Sequence, residues 1–142
     1  MISNLKHSEI EQVLKIWLDS SIKAHDFISK DFWCDKIDDM RNIYIPSTMT
    51  RVFSEDNTIL GFYCLSDQLL NALFVSPSHQ NIGIGSMLLS DAKKHNNKLN
   101  LAVYKENKQA ISFYKKHHFT IKSEEIDPHT KQLELLMEWL AD

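Results

Sequence analysis

Glycine is nearly absent, with 3 in 142 residues against a usual share of about 7%. Two of the three stand together in Gly83-Ile84-Gly85, where backbone must approach something closely. Proline is equally scarce at 3, and no linker, repeat or low-complexity segment is present. The two cysteines, Cys34 and Cys64, form no CxxC pair and have no histidine at zinc spacing. Neither a disulfide framework nor a metal is expected, and reduced thiols in a cytoplasm are the default. No apolar run nears the roughly 18 residues a membrane span needs, and the start, Met1-Ile2-Ser3-Asn4-Leu5-Lys6, lacks signal-peptide character. No membrane partner is expected. Sixteen Lys+Arg against nineteen Asp+Glu give a net charge of −3. That balance argues against a nucleic-acid partner, whose binding rests on surplus cations.

What remains is an ordinary globular composition, 43% hydrophobic and 25% charged, at the length of one domain spanning residues 1–142. Ile2 to Leu5 reads as a strand. Ser8 and Glu11 form a capping box ahead of Ile10, Val13, Leu14, Trp17 and Leu18, spaced as one buried helical face. Ile22 to Ile28 has no period and reads as a loop. A second helix is expected from about Ser29, through Phe32/Trp33, Ile37, Met40 and Ile43/Tyr44, until Pro46 stops it. Met49–Phe53 and Ile59–Leu65 read as strands joined by the turn Ser54-Glu55-Asp56-Asn57, and Leu69–Val75 as a third, well-buried strand. A helix from Gly83 to about His95, a strand Leu99–Val103, a helix capped by Asn107, and strands Phe119–Ile121 and Leu133–Met137 follow. The order is that of a mixed α/β fold.

Gln80-Asn81-Ile82-Gly83-Ile84-Gly85 lies between a buried strand and an amphipathic helix. Successive backbone N–H groups at a helix start, aided by the helix dipole, can hold an anion such as a pyrophosphate without Lys or Arg. The same glycines could instead serve only a tight turn and close helix packing. The segment is neither a Rossmann fingerprint nor a P-loop: no third glycine follows, and no Lys-Ser/Thr pair closes it.

Val75-x-Pro77-x-x-Gln80-x-x-Gly83-Ile84-Gly85-x-x-Leu88-Leu89 resembles the coenzyme-A motif of the GNAT superfamily of N-acetyltransferases. Asn107-x-x-Ala110-x-x-Phe113-Tyr114-x-x-x-x-Phe119 resembles the second conserved block of that family, and the order of elements matches throughout. Ala24-His25-Asp26-Phe27 further resembles a small bacterial single-domain subgroup, some members of which acetylate protein lysines. The resemblance implies a central, mostly antiparallel mixed sheet flanked by about four helices, with acetyl-CoA as co-substrate and no metal. It implies that the backbone of Phe74 and Val75 receives the acetyl and pantetheine portion. Amides of Gln80, Asn81, Ile82, Gly83, Ile84, Gly85 and Ser86 then hold the pyrophosphate. Asn107 contacts the coenzyme arm, Phe113 packs beside it, and Tyr114 stands at the thioester sulfur. Two departures are visible. The family's usual Arg is Gln80, which leaves more of the binding to main chain, and its usual glycine before Phe119 is His118, which strains the helix end.

Acyl transfer from a thioester to an amine needs a neutral amine, a stabilised oxyanion and a protonated leaving thiolate. A phenol keeps its proton at neutral pH, so Tyr114 can act as general acid; the plainer alternative is a core aromatic. An oxyanion donor is expected from a main-chain N–H near Phe74, exposed by a bulge. Asn71 stands where many relatives carry a carboxylate, which leaves His25, Asp67, Glu106 or water as proton acceptor. His25, Asp26, Phe27, Phe32 and Trp33 are candidates for the acceptor side, with at least one of Phe32 and Trp33 belonging to the core. His79, His117 and His118 read as surface residues. The expected partner is an amine-bearing acceptor, a protein lysine or a small molecule, and the expected state a monomer or weak homodimer. Two other functions fit the same residues: a non-catalytic acyl-CoA-binding module, favoured by the missing carboxylate, and a toxin-type aminoacyl-tRNA acetyltransferase, disfavoured by the charge.

Overall fold

The apolar run Ile59 to Leu65 is buried from end to end. Ile59, Phe62 and Cys64 pack into one core cluster, and Leu60, Tyr63 and Leu65 into another. A strand apolar on both faces belongs at the centre of a sheet covered on both sides. The computed structural model, which describes residues 1–142, builds around it. Its strands are β1 (Ile2–Asn4), β2 (Met49–Glu55), β3 (Thr58–Ser66), β4 (Leu69–Val75), β5 (Lys98–Tyr104), β6 (Thr120–Ile126) and β7 (Leu133–Leu140). Its helices are α1 (Ile10–Ala24), α2 (Lys30–Asp35), α3 (Ile37–Asp39), α4 (Ile84–Lys94) and α5 (Lys108–Lys116). The seven strands form one mixed sheet in the order β1-β2-β3-β4-β5-β7-β6. Helices α1 and α2 cover one face, α4 and α5 the other. No helix is long and apolar enough to cross a membrane.

Every neighbouring pair is antiparallel except β4 and β5, which run parallel and meet only at Leu69 and Asn100. Beyond that point the two strands part. The helix after each begins at the open end of the resulting V, so two helix N-termini converge there. Helix α4 lies close against Gly61 of β3, where an added Cβ would stand 3.0 Å from both Leu88 Cδ1 and the Phe74 carbonyl oxygen.

Several local readings are corrected. The first helix opens with a 3₁₀ turn at His7–Glu9, and the cap contact is Lys6 N–H to Glu9 Oε1 at 2.9 Å, not Ser8 with Glu11. Glu11 is taken instead by Arg41, through Nε at 2.9 Å and Nη2 at 3.0 Å, a two-point pairing that turns its carboxylate away from the helix start. Helix α1 runs on to Ala24, into the segment read as loop. Ser29 does open the second helix, accepting from Phe32 N–H at 3.4 Å. That helix breaks at Lys36 and ends in a π turn, Met40–Tyr44, so its parts act as one interrupted unit. Strand β6 extends through polar Lys122–Glu125 because it is a fully exposed edge strand, where such side chains cost nothing.

A buried polar network ties α4 to the sheet. Asp91 Oδ2 accepts from Tyr63 Oη at 2.6 Å and from Arg51 Nε at 2.9 Å, and Tyr63 is fully buried. Asp91→Ala orphans a buried hydroxyl and a guanidinium together. We expect a loss of about 2–4 kcal/mol, read as a lower urea midpoint at unchanged slope.

Candidate active site

Gly83 sits at the N-cap of α4 with φ 92° and ψ 0°. An added Cβ would touch nothing within 4 Å, so glycine is there for its left-handed backbone and leaves the main chain uncovered. Asn81 is also left-handed, at φ 65°, and such residues turn neighbouring amides to one side as an anion-binding concavity. The first α-helical bond of α4 runs from Met87 N–H to the Gly83 carbonyl. The amides of Ile84, Gly85 and Ser86 therefore lack an α-helical partner. Gly85 differs from Gly83: it is helical, and a Cβ there would meet Phe113 Cζ at 3.4 Å.

This turn forms one wall of a cleft of about 500 Å³ at the mouth of the V. Gln80, Asn81, Gly83, Ile84, Gly85 and Ser86 line it from the turn, Phe74 and Val75 from β4, and Asn107, Phe113 and Tyr114 from α5 and its cap. Ile82 stands apart, 66% exposed and outside the lining. Asn107 accepts from Ala110 N–H at 3.2 Å and so starts α5 where the cleft begins.

Tyr114 is buried and packs edge-on to Phe113 at 5.3 Å and Phe119 at 5.4 Å. Its core packing and its place in the cleft are both real. The tyrosines differ in what their hydroxyls do. Tyr63 donates to Asp91 and Tyr104 to Asp127, each at 2.6 Å, whereas the Tyr114 hydroxyl makes no hydrogen bond within the protein. Burial pushes its phenol above its ordinary pKa, so the proton is held more firmly than in water.

The expected bulge near Phe74 is elsewhere. The β3–β4 register is regular from Gly61–Val75 to Cys64–Ala72 and shifts at the next step, leaving Asn71 as the extra residue. Asn71 turns its amide to Ser66 Oγ at 2.8 Å. Ser76 N–H donates to the Leu60 carbonyl, and antiparallel ladders alternate. Phe74 therefore faces Phe62, while the amides of Leu73 and Val75 face the gap left by β5. The parting of the strands, not a bulge, opens them. The Val75 carbonyl on that side is capped by Ser20 Oγ at 3.1 Å and Gln80 Nε2 at 3.2 Å. Gln80 is thus committed to the strand, and the cations at the cleft are Lys23 and Lys116.

On the expected acceptor side, His25, Phe27 and Trp33 gather with Tyr104 into an aromatic cluster. Trp33 is core and Phe32 packs half-buried beside it, while Asp26 faces solvent. His25 is buried, not a solvated loop residue. Of the other candidate proton acceptors, Asp67 lies in the turn before β4, about 20 Å of strand from the cleft, and exposed Glu106 directly precedes Asn107. His79 and His117 are half-buried, not on the surface as expected; His118 is exposed. His117 Nε2 lies 3.1 Å from Ser86 Oγ, and burial, then Lys93 and Lys116, hold its pKa below the ordinary value.

Ser20, Lys23, Ala24, Leu73, His79, Gln109, Ala110 and Lys116 also line the cleft and were missed. Ser20, Lys23 and Ala24 share one helical face by their i, i+3, i+4 spacing, a face that exists only because α1 runs past Ile22 to Ala24. Gln109, Phe113 and Lys116 share one face of α5 at i, i+4, i+7 spacing.

A family model described as an acetyltransferase (GNAT) domain matches residues 46–121. The peptidyl-lysine N-acetyltransferase YiaC of Escherichia coli K12 is 34% identical over 122 residues, covering 85% of this chain and 84% of that protein. The peptidyl-lysine N-acetyltransferase YjaB of the same strain is 31% identical over 136 residues, 95% of this chain and 92% of that one. The solution structure of apo YjaB from E. coli superposes with a TM-score of 0.87 at 28% identity, covering 100% and 98% of the two chains. A PaiA N-acetyltransferase from Thermoplasma acidophilum, crystallised with coenzyme A, superposes with a TM-score of 0.81 at 20% identity over 99% and 98%.

Proposed function

This chain belongs to the GNAT acetyltransferase family, and from that premise we propose that it moves an acetyl group from acetyl-CoA to the side-chain amine of a protein lysine. The observation that carries the reading is the unpartnered Tyr114 hydroxyl in the cleft where the α4 and α5 N-termini converge. Two relatives named as peptidyl-lysine acetyltransferases support the acceptor class.

In this reading the turn amides from Asn81 to Ser86 hold the pyrophosphate, with Lys23 and Lys116 adding the charge that Gln80 does not. The Leu73 and Val75 amides face the gap along which the pantetheine arm runs, and one of them donates to the thioester oxygen as negative charge builds there. The amine nitrogen bonds to the carbonyl carbon and the carbon–sulfur bond breaks. Tyr114 gives its proton to the departing sulfur, the amine gives its proton to solvent, and the Tyr114 phenolate regains a proton from solvent before the next turnover. His25 is walled in by aromatics and Asp67 is remote, which favours water, or water beside Glu106, as the acceptor of that proton.

Thiol release from acetyl-CoA, measured across lysine peptides, polyamines and aminoglycosides, tests the reading. Lysine peptides are expected to exceed the best small amine in kcat/KM by about tenfold or more, equivalent to 1.4 kcal/mol of transition-state binding. Release with small amines alone would overturn the acceptor class. CoA binding with no release for any amine would favour a binding module.

A further inference from the structure

His25 immediately follows the last residue of α1 and is 6% exposed. Its ring stacks on Trp33 at 5.0 Å with planes 28° apart, and meets Tyr104 edge-on at 5.2 Å. Its Nε2 lies 3.3 Å from Asn107 Nδ2, across 82 residues of sequence, while its Nδ1 has no partner. A carboxamide nitrogen only donates, so Nε2 accepts and the neutral ring carries its proton on Nδ1. Burial, against the pull of the Ser21 carbonyl, disfavours the charged ring, which keeps Nε2 an acceptor. Packing alone does not account for this residue. A phenylalanine would fill the same aromatic slot without burying an N–H that the Ser21 carbonyl attracts but does not meet in hydrogen-bonding geometry, and such poorly satisfied groups are rare.

What the imidazole does is fix an amide. Asn107 Oδ1 is held by Ala110 N–H, and one N–H of Nδ2 is held by His25. The second N–H is left over, on a residue that lines the cleft. We propose that His25 is a positioning residue that locks the Asn107 carboxamide with its spare N–H toward the cleft, ready to donate to an amide carbonyl of the bound acyl-CoA. The inference rests on the acyl-CoA reading of the cleft. It gives the buried histidine a role in coenzyme affinity, not in proton transfer.

A double-mutant cycle separates this from a purely structural role, because residues acting through one contact are not additive. His25→Phe keeps the ring and removes the acceptor. It is expected to raise the CoA Kd and the acetyl-CoA KM by about tenfold, the size of one lost polar contact, with kcat within about twofold. Asn107→Ala is expected to do at least as much, and the double variant no more than Asn107→Ala alone. His25→Gln, which restores an acceptor at similar reach, should recover most of the affinity. Multiplying single effects, or an unchanged Kd in His25→Phe, would overturn the proposal alone; a wild type that binds no CoA would overturn the acyl-CoA reading with it. Should His25→Phe not fold, a long-range ¹H–¹⁵N spectrum of the wild type still decides: protonated Nδ1 with bare Nε2 supports the contact, and protonated Nε2 overturns it.

Discussion

Tyr114→Phe is expected to lower turnover by roughly 10²–10⁴-fold while CoA affinity stays within about twofold. The substitution keeps the ring, its contacts with Phe113 and Phe119, and the cluster it completes. It breaks no hydrogen bond within the protein, so stability is expected to change little. That separates it from Tyr63 and Tyr104, whose hydroxyls hold buried carboxylates. On the proposed reading, removing the Tyr114 hydroxyl takes away only the proton donor for the departing sulfur. The raised phenol pKa has a definite sign: the acid form persists through neutral and mildly alkaline pH. The wild-type rate should rise with pH as the acceptor amine deprotonates, with no fall from Tyr114 below pH about 10. Steady-state thiol release paired with calorimetric CoA titration reads both quantities. Turnover within about threefold of wild type, under ~0.7 kcal/mol, would make Tyr114 a core aromatic and place the acid elsewhere.

The elements that bury a patterned face were legible in the sequence, because periodicity reports burial directly. The apolar positions of α1, the continuous run of β3 and the glycine turn before α4 all stand where they were read. Interruptions were not legible. The break at Lys36 and the π turn at Met40–Tyr44 preserve a helical spacing of apolar residues while changing the backbone path. The cleft was legible where a turn motif forms its wall, at Gln80, Asn81 and Gly83–Ser86. It was not legible where two strands had to part in space. Nothing in Leu69–Val75 or Lys98–Tyr104 says that their pairing stops after one residue, so the sequence points to a bulge near Phe74 where the structure has a parting of strands and a bulge at Asn71.

The shortage of glycine carried a second message that composition alone left unread. Six non-glycine residues adopt positive φ, and four are Asp56, Asn57, Asp67 and Asn81, the residue types that tolerate left-handed backbone best. The first two make the β2–β3 hairpin in place of the usual Asn-Gly. His118, at φ 72°, fills the left-handed position after α5 where the family carries glycine. The chain thus does without glycine at most of its turns and spends it at Gly61, for close packing, and at Gly83.

Gly83→Val is therefore expected to weaken CoA binding by about 100-fold or more, the cost of roughly two charge-assisted hydrogen bonds. At φ 92° and ψ 0° a β-branched residue is strained by about 1–3 kcal/mol. The turn can relieve that strain only by rotating its amides away from the cleft. Because an added Cβ meets nothing within 4 Å, no clash spreads into the core. Urea unfolding should lose no more than the local strain, and the protein remains folded for titration. Gly85→Ala is the control. Its backbone is helical and its Cβ makes ordinary contact with Phe113, so it probes close approach without conformational strain and should weaken binding much less. The two variants together separate backbone shape from steric access, which a single glycine substitution confounds. A folded Gly83→Val protein that binds CoA within about threefold of wild type, a difference under ~0.7 kcal/mol, would show that this turn does not hold the pyrophosphate.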